Sequence, residues 1–130
     1  TVATLKFLKQ GGRITPAAAA IGTMLRLKPI LQIQGEKLDA FSKARTMIQA
    51  KSTMTKAIRD DISNRFGEKI NLDVIHSHNL AAAEEFRKET LANFPNIGEI
   101  NIFPLSLSVS CHIGPGSLAL TCSKVHPEIW

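Results

Sequence analysis

Asn71-Leu-Asp-Val-Ile-His76, then Asn79 to Asn93, then Glu99-Ile-Asn-Ile-Phe103 is the stretch whose reading decides the fold. The outer segments are short, apolar or alternating runs of the kind strands use. The middle one opens on Asn79, a capping residue, and is stopped by Phe94-Pro95 as a helix is. Strand, helix and strand in that order require a crossover, which pairs the strands in parallel with right-handed connectivity. Upstream, Thr46 to Phe66 is helical, with Met47, Met54, Ile58, Ile62 and Phe66 on one face, Lys51, Arg59 and Arg65 elsewhere, and Gly67 closing the helix. Before it, Pro29-Ile-Leu-Gln-Ile-Gln34 and Lys37-Leu-Asp-Ala-Phe-Ser42 flank Gly35-Glu36 and read as a β-hairpin. Two successive strand–helix–strand units place both long helices on one sheet face, and the hairpin adds antiparallel pairing. The fold class is therefore α/β with a mixed β-sheet and packed helices.

The ends of the chain complete this order. A first helix bearing Leu5 and Leu8 stops at Gly11-Gly12, and Thr15-Pro16 starts a second, with Thr as N-cap and Pro at the first helical position. That second helix, Ala17 to about Leu25, lacks a polar face, so it is expected to be buried, covering the other sheet face or the space between domains. After Glu99–Phe103 the chain is expected to run through the turn Cys111-His112-Ile113-Gly114-Pro115-Gly116 into a last strand, Leu118-Ala-Leu-Thr-Cys122.

At 130 residues with 44% apolar content the chain forms one domain with a real core. Six Phe, one Trp and no Tyr make that core aliphatic. Net charge is +5, unevenly spread: residues 1–59 hold eleven Lys/Arg against Glu36 and Asp39, and residues 60–130 hold five against nine acids. A basic half attracts phosphates, acidic lipids or an acidic protein surface, or is simply a solvated face. Cys111 and Cys122 are the only cysteines. With no signal peptide or long apolar run in view, they read as reduced core cysteines in a cytoplasmic protein. The start at Thr1, without methionine, reads as a piece of a longer protein.

Several constellations bear groups capable of chemistry. Glycines around a proline let the backbone adopt φ > 0 and expose N–H groups, so the Gly114-Pro115-Gly116 turn can hold an anion beside His112, or serve as a structural turn. Gly11-Gly12 delivers Arg13 at a sharp bend, suited to aiming a guanidinium at an anion, or to a simple helix end. Cys111 and His112, as neighbours on extended backbone, point apart, which disfavours a nucleophilic pair. His76-Ser77-His78 lacks the spacing of a zinc site, and its histidines are expected to close a strand and meet solvent. There is no phosphate-cradling glycine motif. Nucleic-acid binding by the basic half remains an alternative, weakened by the lack of aromatic stacking platforms. A Cys/His or Ser hydrolase is the third class.

Three segments in order and spacing carry a more specific signal: Leu5-Lys-Phe-Leu-Lys-Gln-Gly-Gly-Arg-Ile14, Ala19-Ala-Ile-Gly-Thr-Met-Leu-Arg-Leu-Lys-Pro-Ile-Leu31 and His112-Ile-Gly-Pro-Gly116. With Gly35–Lys37 in a hairpin and Lys43-Ala-Arg45 after it, the chain resembles the C-terminal domain of the two-domain DegV (EDD-fold) family of fatty-acid-binding proteins. Residues 1–130 would form that domain, without the N-terminal domain whose hydroxyls hold the carboxylate. The resemblance implies a non-catalytic bacterial protein with no cofactor, whose ligand is a long-chain fatty acid in an apolar tunnel. Its implied partner is the ATP-using subunit of a fatty acid kinase, which forms acyl phosphate. It implies Arg13 and His112 near the carboxylate within the Gly114 and Gly116 loop, Ile21, Gly22 and Leu25 approaching the ligand, and Arg45 docking the partner. Departures from the family are His76-Ser77-His78, where His-Ala-Asp or His-Ala-Asn is common, and Ala119, where glycine is common.

Overall fold

Two β-layers share one long helix. The computed structural model describes residues 1–21, 27–34, 37–66 and 69–125. Lys28–Gln34 (β1) and Lys37–Ala44 (β2) form an antiparallel hairpin, with Phe41 as an extra residue where the register shifts after Ile30. Ile70–His76 (β3), Ile100–Pro104 (β4) and Leu118–Lys124 (β5) form a separate sheet in the order β4-β3-β5. β3 and β4 run parallel, with Val74 opposite Ile102, as the crossover requires. β5 runs antiparallel to β3, with Val74 opposite Leu120. The sheet is mixed, but its antiparallel member is β5 and not the hairpin, which corrects the expectation from sequence.

Met47–Asp61 (α3), continued by a π-helical turn over Ile62–Phe66, explains the separation. It leaves the hairpin and packs against β1, β2 and β5 at once, so it joins two sheets and is not a crossover within one. Thr46 caps it by accepting from the Gln49 N–H at 3.2 Å. Leu80–Asn93 (α4) covers β3 and β4 and touches α3, so both long helices share one face of the three-stranded sheet. Between them lie Met54, Leu72, Val74, Ala83, Phe86, Ile100, Leu118 and Leu120, joined by Ile30 and Ala44 of the hairpin. Phe86 and Phe94 are the aromatic members of an otherwise aliphatic core.

Lys51, which the spacing puts off the apolar face of α3, is nonetheless buried. Its Nζ lies 2.6 Å from Glu89 and 3.9 Å from Glu85 on α4, and 5.9 Å from the Phe86 ring centroid. The aliphatic stem packs between the helices while the ammonium reaches the carboxylates at their rim.

A second cluster forms around Lys6–Gln10 (α1) and Pro16–Ile21 (α2), with Val2, Leu5, Leu8, Ile14 and Ala18 buried against Leu31, Leu38 and Ala40 of the hairpin. Of α2, Ala18 is buried whereas Pro16, Ala17 and Ala20 are exposed, so within this chain the helix is buried on one face only. The helix rests on β2 by one face, and it covers neither face of the three-stranded sheet. Gly22 to Leu25, the Gly35-Glu36 turn and Gly67 lie outside the described residues, as does the side chain of Ile21.

Leu107–Ile113 forms a further helix (α5) where extended backbone was expected. Pro104 ends β4, and Ser106 occupies the N-cap position. The alternating Leu-Ser-Leu-Ser-Val-Ser pattern mimics a strand because α5 buries no residue and so shows no helical hydrophobic period.

The strip linking α1 to α2 is fastened to β2. Leu38 N–H donates to Arg13 O and Thr15 N–H to Leu38 O, while the Thr15 hydroxyl donates to Asp39 Oδ1 at 2.6 Å. That hydroxyl also accepts from the Ala18 N–H, capping α2. The Thr15 hydroxyl, then the Ala40 N–H, hold the Asp39 carboxyl below its ordinary pKa. A depressed folded pKa stabilises the fold above the unfolded value of about 3.9, and that contribution is lost as pH falls through the folded value. Urea midpoints measured from pH 6 to pH 2 are expected to decline less steeply over the acid end in Asp39→Asn than in wild type.

Candidate functional site

Gly11 is the point where the two sequence motifs meet. It caps α1, its N–H bonding Phe7 O at 2.9 Å, and a methyl built on it would collide with Nδ1 of His112, about a hundred residues away. Arg13, two residues on, is exposed and folds back so that Nη1 donates to Gly11 O at 3.4 Å. The guanidinium and the imidazole thus both converge on Gly11. His112 sits half-buried in the last turn of α5 and not in a loop.

The Gly114-Pro115-Gly116 turn lies beneath the first residues of the chain. Gly114, at φ +79°, meets the Phe7 ring, and Gly116, at φ +89°, lies against Ala3. Thr1 exchanges backbone hydrogen bonds with Leu118 at 2.8 and 3.1 Å. The two glycine amides are committed: Gly114 N–H donates to Ser110 O at 2.8 Å and Gly116 N–H to Ser77 O at 2.7 Å. Pro115 has no N–H to give. Of the two readings of this turn, the occupied amides favour the structural one, and the His112 imidazole is the polar side chain that reaches Gly11.

The histidines close the strand as expected, but of the two only His78 meets solvent. His76 ends β3 buried, its Nδ1 accepting from Asn79 N–H at 3.1 Å, whereas His78 is exposed with φ +46°. Asn79 takes the N-cap position of α4 without a side-chain capping bond, and its Nδ2 reaches Gly116 O at 3.5 Å instead. Among the described residues no group of His, Cys, Asp or Glu is arranged to hold a metal ion.

Both cysteines are free thiols. Cys111 is exposed on α5, its Sγ donating to Ser108 O at 3.1 Å within its own helix, so it is not the core residue expected. Cys122 is half-buried beside the core, and burial, then the Asp61 charge, push its thiol pKa up. Arg45 is exposed beyond β2, with its N–H held by Gln49 Oε1 at 3.0 Å. Beside it a shallow groove is lined by Lys43, Ala44, Ile48, Gln49, Ser52 and Thr53, and Ile48 is 77% exposed. A second groove, between α4 and β4, is lined by none of the predicted site residues.

Sequence reasoning missed Ser77 as a partner of the His112 turn. Its position next to a strand-ending histidine was visible, but the residue it reaches is 37 positions away.

This arrangement, an α/β domain with a glycine-arginine turn docked on a His-x-Gly-Pro-Gly turn, defines a known class. The model of the uncharacterised DegV protein family matches residues 1–125, and the chain belongs to the DegV family. A DegV domain-containing protein of Listeria monocytogenes is 33% identical over 121 residues, 92% of this chain and 41% of that protein. A fatty-acid-binding DegV family protein from Thermus thermophilus superposes with a TM-score of 0.83 at 33% identity, over 95% of this chain and 44% of its own. The fatty-acid-binding DegV family protein of Streptococcus agalactiae gives 0.81 at 25% identity, over 96% and 43%. The chain thus spans about two-fifths of the length of these relatives.

The glycine contacts rank three substitutions. Gly98→Ala meets nothing within 4 Å and is expected to change stability by under about 1 kcal/mol. Gly12→Ala, at φ +63° in open space, costs about 1–2 kcal/mol of backbone strain. Gly114→Ala adds overlap with Phe7 to that strain and is the most destabilising of the three. Urea denaturation of the three variants checks the order.

Proposed function

We propose that this chain supplies one side of a long-chain fatty acid site, in a protein that binds the acid without transforming it. The observation that carries the reading is the convergence of Arg13 and His112 on Gly11, two groups suited to a carboxylate, in a family whose solved members include fatty-acid-binding proteins. A guanidinium and an imidazole give charge-assisted hydrogen bonds to a carboxylate, which fix the head group. The acyl chain provides most of the affinity, at about 0.8 kcal/mol per buried CH₂. Ile21, Gly22 and Leu25 are assigned to the acyl chain's path on the family pattern. Gly114 and Gly116 serve by letting the turn pack under α1, because their amides are already occupied. The rest of the carboxylate's partners would come from the part of the relatives' length that this chain does not span.

We further propose a cytoplasmic acyl carrier whose partner is the ATP-using subunit of a fatty acid kinase. The support is the exposed Arg45, beside Lys43 and Ile48. Among the described residues no helix is long and apolar enough to cross a membrane.

Organic extraction and mass spectrometry of the natural full-length polypeptide are expected to release a long-chain fatty acid. In titrations, Arg13→Ala and His112→Ala each weaken binding of hexadecanoic acid about tenfold, the size of one charged hydrogen bond. A protein that carries no acid and gives no heat on titration overturns the reading. Arg45→Glu is expected to weaken association with the purified kinase subunit by at least about tenfold, read by interferometry.

A further inference from the structure

The turn between β3 and α4 grips the Gly114-Pro115-Gly116 turn as well. Ser77 is 3% exposed, and its hydroxyl donates to the carbonyl of Gly114. Its backbone makes two more bonds to the same segment: Gly116 N–H donates to Ser77 O at 2.7 Å, and Ser77 N–H donates to Ser117 O at 3.2 Å. Asn79 Nδ2 adds a contact to Gly116 O at 3.5 Å. The gripping turn is itself fixed. Asn79 N–H donates to the buried His76 Nδ1, and His78 holds φ +46°, a conformation few non-glycine residues adopt.

What the hydroxyl adds is specific. Gly114 leaves α5 at φ +79° and ψ 172°, with its N–H tied to Ser110 O. Its carbonyl belongs to the peptide plane that leads into Pro115, and the Ser77 hydroxyl holds that plane. The plane in turn sets how the last turn of α5, with His112, lies on Gly11. Alanine at position 77 would keep both backbone bonds and remove this one alone, so the hydroxyl's part is separable from the fold's.

We propose that Ser77 is a positioning residue for His112, its hydroxyl holding the Gly114 carbonyl so that the imidazole faces the carboxylate of a bound fatty acid. The proposal rests on the fatty acid reading above. Two ligands separate a head-group effect from a general one: hexadecanoic acid, and hexadecanol, which has the same chain and no carboxylate. In the natural full-length polypeptide, Ser77→Ala is expected to weaken the acid about tenfold and the alcohol less than about twofold, with Ser77→Thr restoring the acid. Equal losses for both ligands, or no loss for either, overturn the proposal. Should Ser77→Ala fail to fold, Ser77→Cys keeps the volume with a weaker donor and is judged by the same ratio.

A wild-type protein that binds neither ligand ends the fatty acid reading and leaves Ser77 to be judged by NMR. There, Ser77→Ala is expected to shift the His112 ring resonances while leaving exchange of the Gly116 amide unchanged, with Ser77→Thr reverting the shift. Unchanged His112 resonances overturn the proposal.

Discussion

The site depends on side chains lying directly on bare glycine backbone. The first eleven residues rest against the end of α5 and the segment that follows it, with Gly11 under the His112 ring, Phe7 over Gly114, Ala3 against Gly116 and Thr1 paired with Leu118. A side chain at position 11 or 114 would force the two segments apart. At 114 and 116 the positive φ angles exclude most alternatives to glycine as well. These glycines therefore serve close packing, and they bring an arginine turn and a histidine turn from opposite ends of the chain to one place. The amides of Gly114 and Gly116 are meanwhile occupied by the carbonyls of Ser110 and Ser77.

Charge is organised in the same way, by contact between distant halves. The excess of Lys and Arg before residue 60 and of acids after it reads from sequence as a surface for an external anion. Part of it is internal, because Lys51 of α3 is buried against Glu89 and Glu85 of α4. Arg59 of α3 donates to the Asn93 side chain at 3.1 Å and lies over the Phe94 ring at 5.4 Å. The basic residues left outward on β2 and beyond it, Lys43 and Arg45, are those with no such counterpart named on α4.

Much of the fold was legible because it rests on local periodicity. The apolar face of α3 and the strand–helix–strand unit from β3 to β4 follow from side-chain spacing alone, and Met54, Leu72, Val74 and Phe86 fill the core that the spacing points to. The errors share a cause. The hairpin was joined to the main sheet because local pattern cannot say whether a helix crosses one sheet or connects two. α5 was read as extended because it buries nothing and so carries no helical signature. α2 was read as buried because an apolar sequence does not reveal which of its faces finds a neighbour. Of the candidate site, the motifs were legible, but the bonds of Ser77 to Gly114 and Gly116 were not, since hydrogen-bond partners tens of residues apart leave no mark in either segment.

By itself the sequence determined the class of fold, one α/β domain with an aliphatic core, and the motif set that identifies the DegV family. Periodicity, capping residues and glycine-proline punctuation are short-range properties, and they are complete within each segment. Only the tertiary structure decided that the hairpin stands apart from the β4-β3-β5 sheet, that Lys51 is buried, and that His112 ends a helix. It alone placed that histidine on Gly11 and brought Ser77 to Gly114. These are outcomes of steric contact and hydrogen-bond competition between segments remote in the chain, and they exist only once the segments touch.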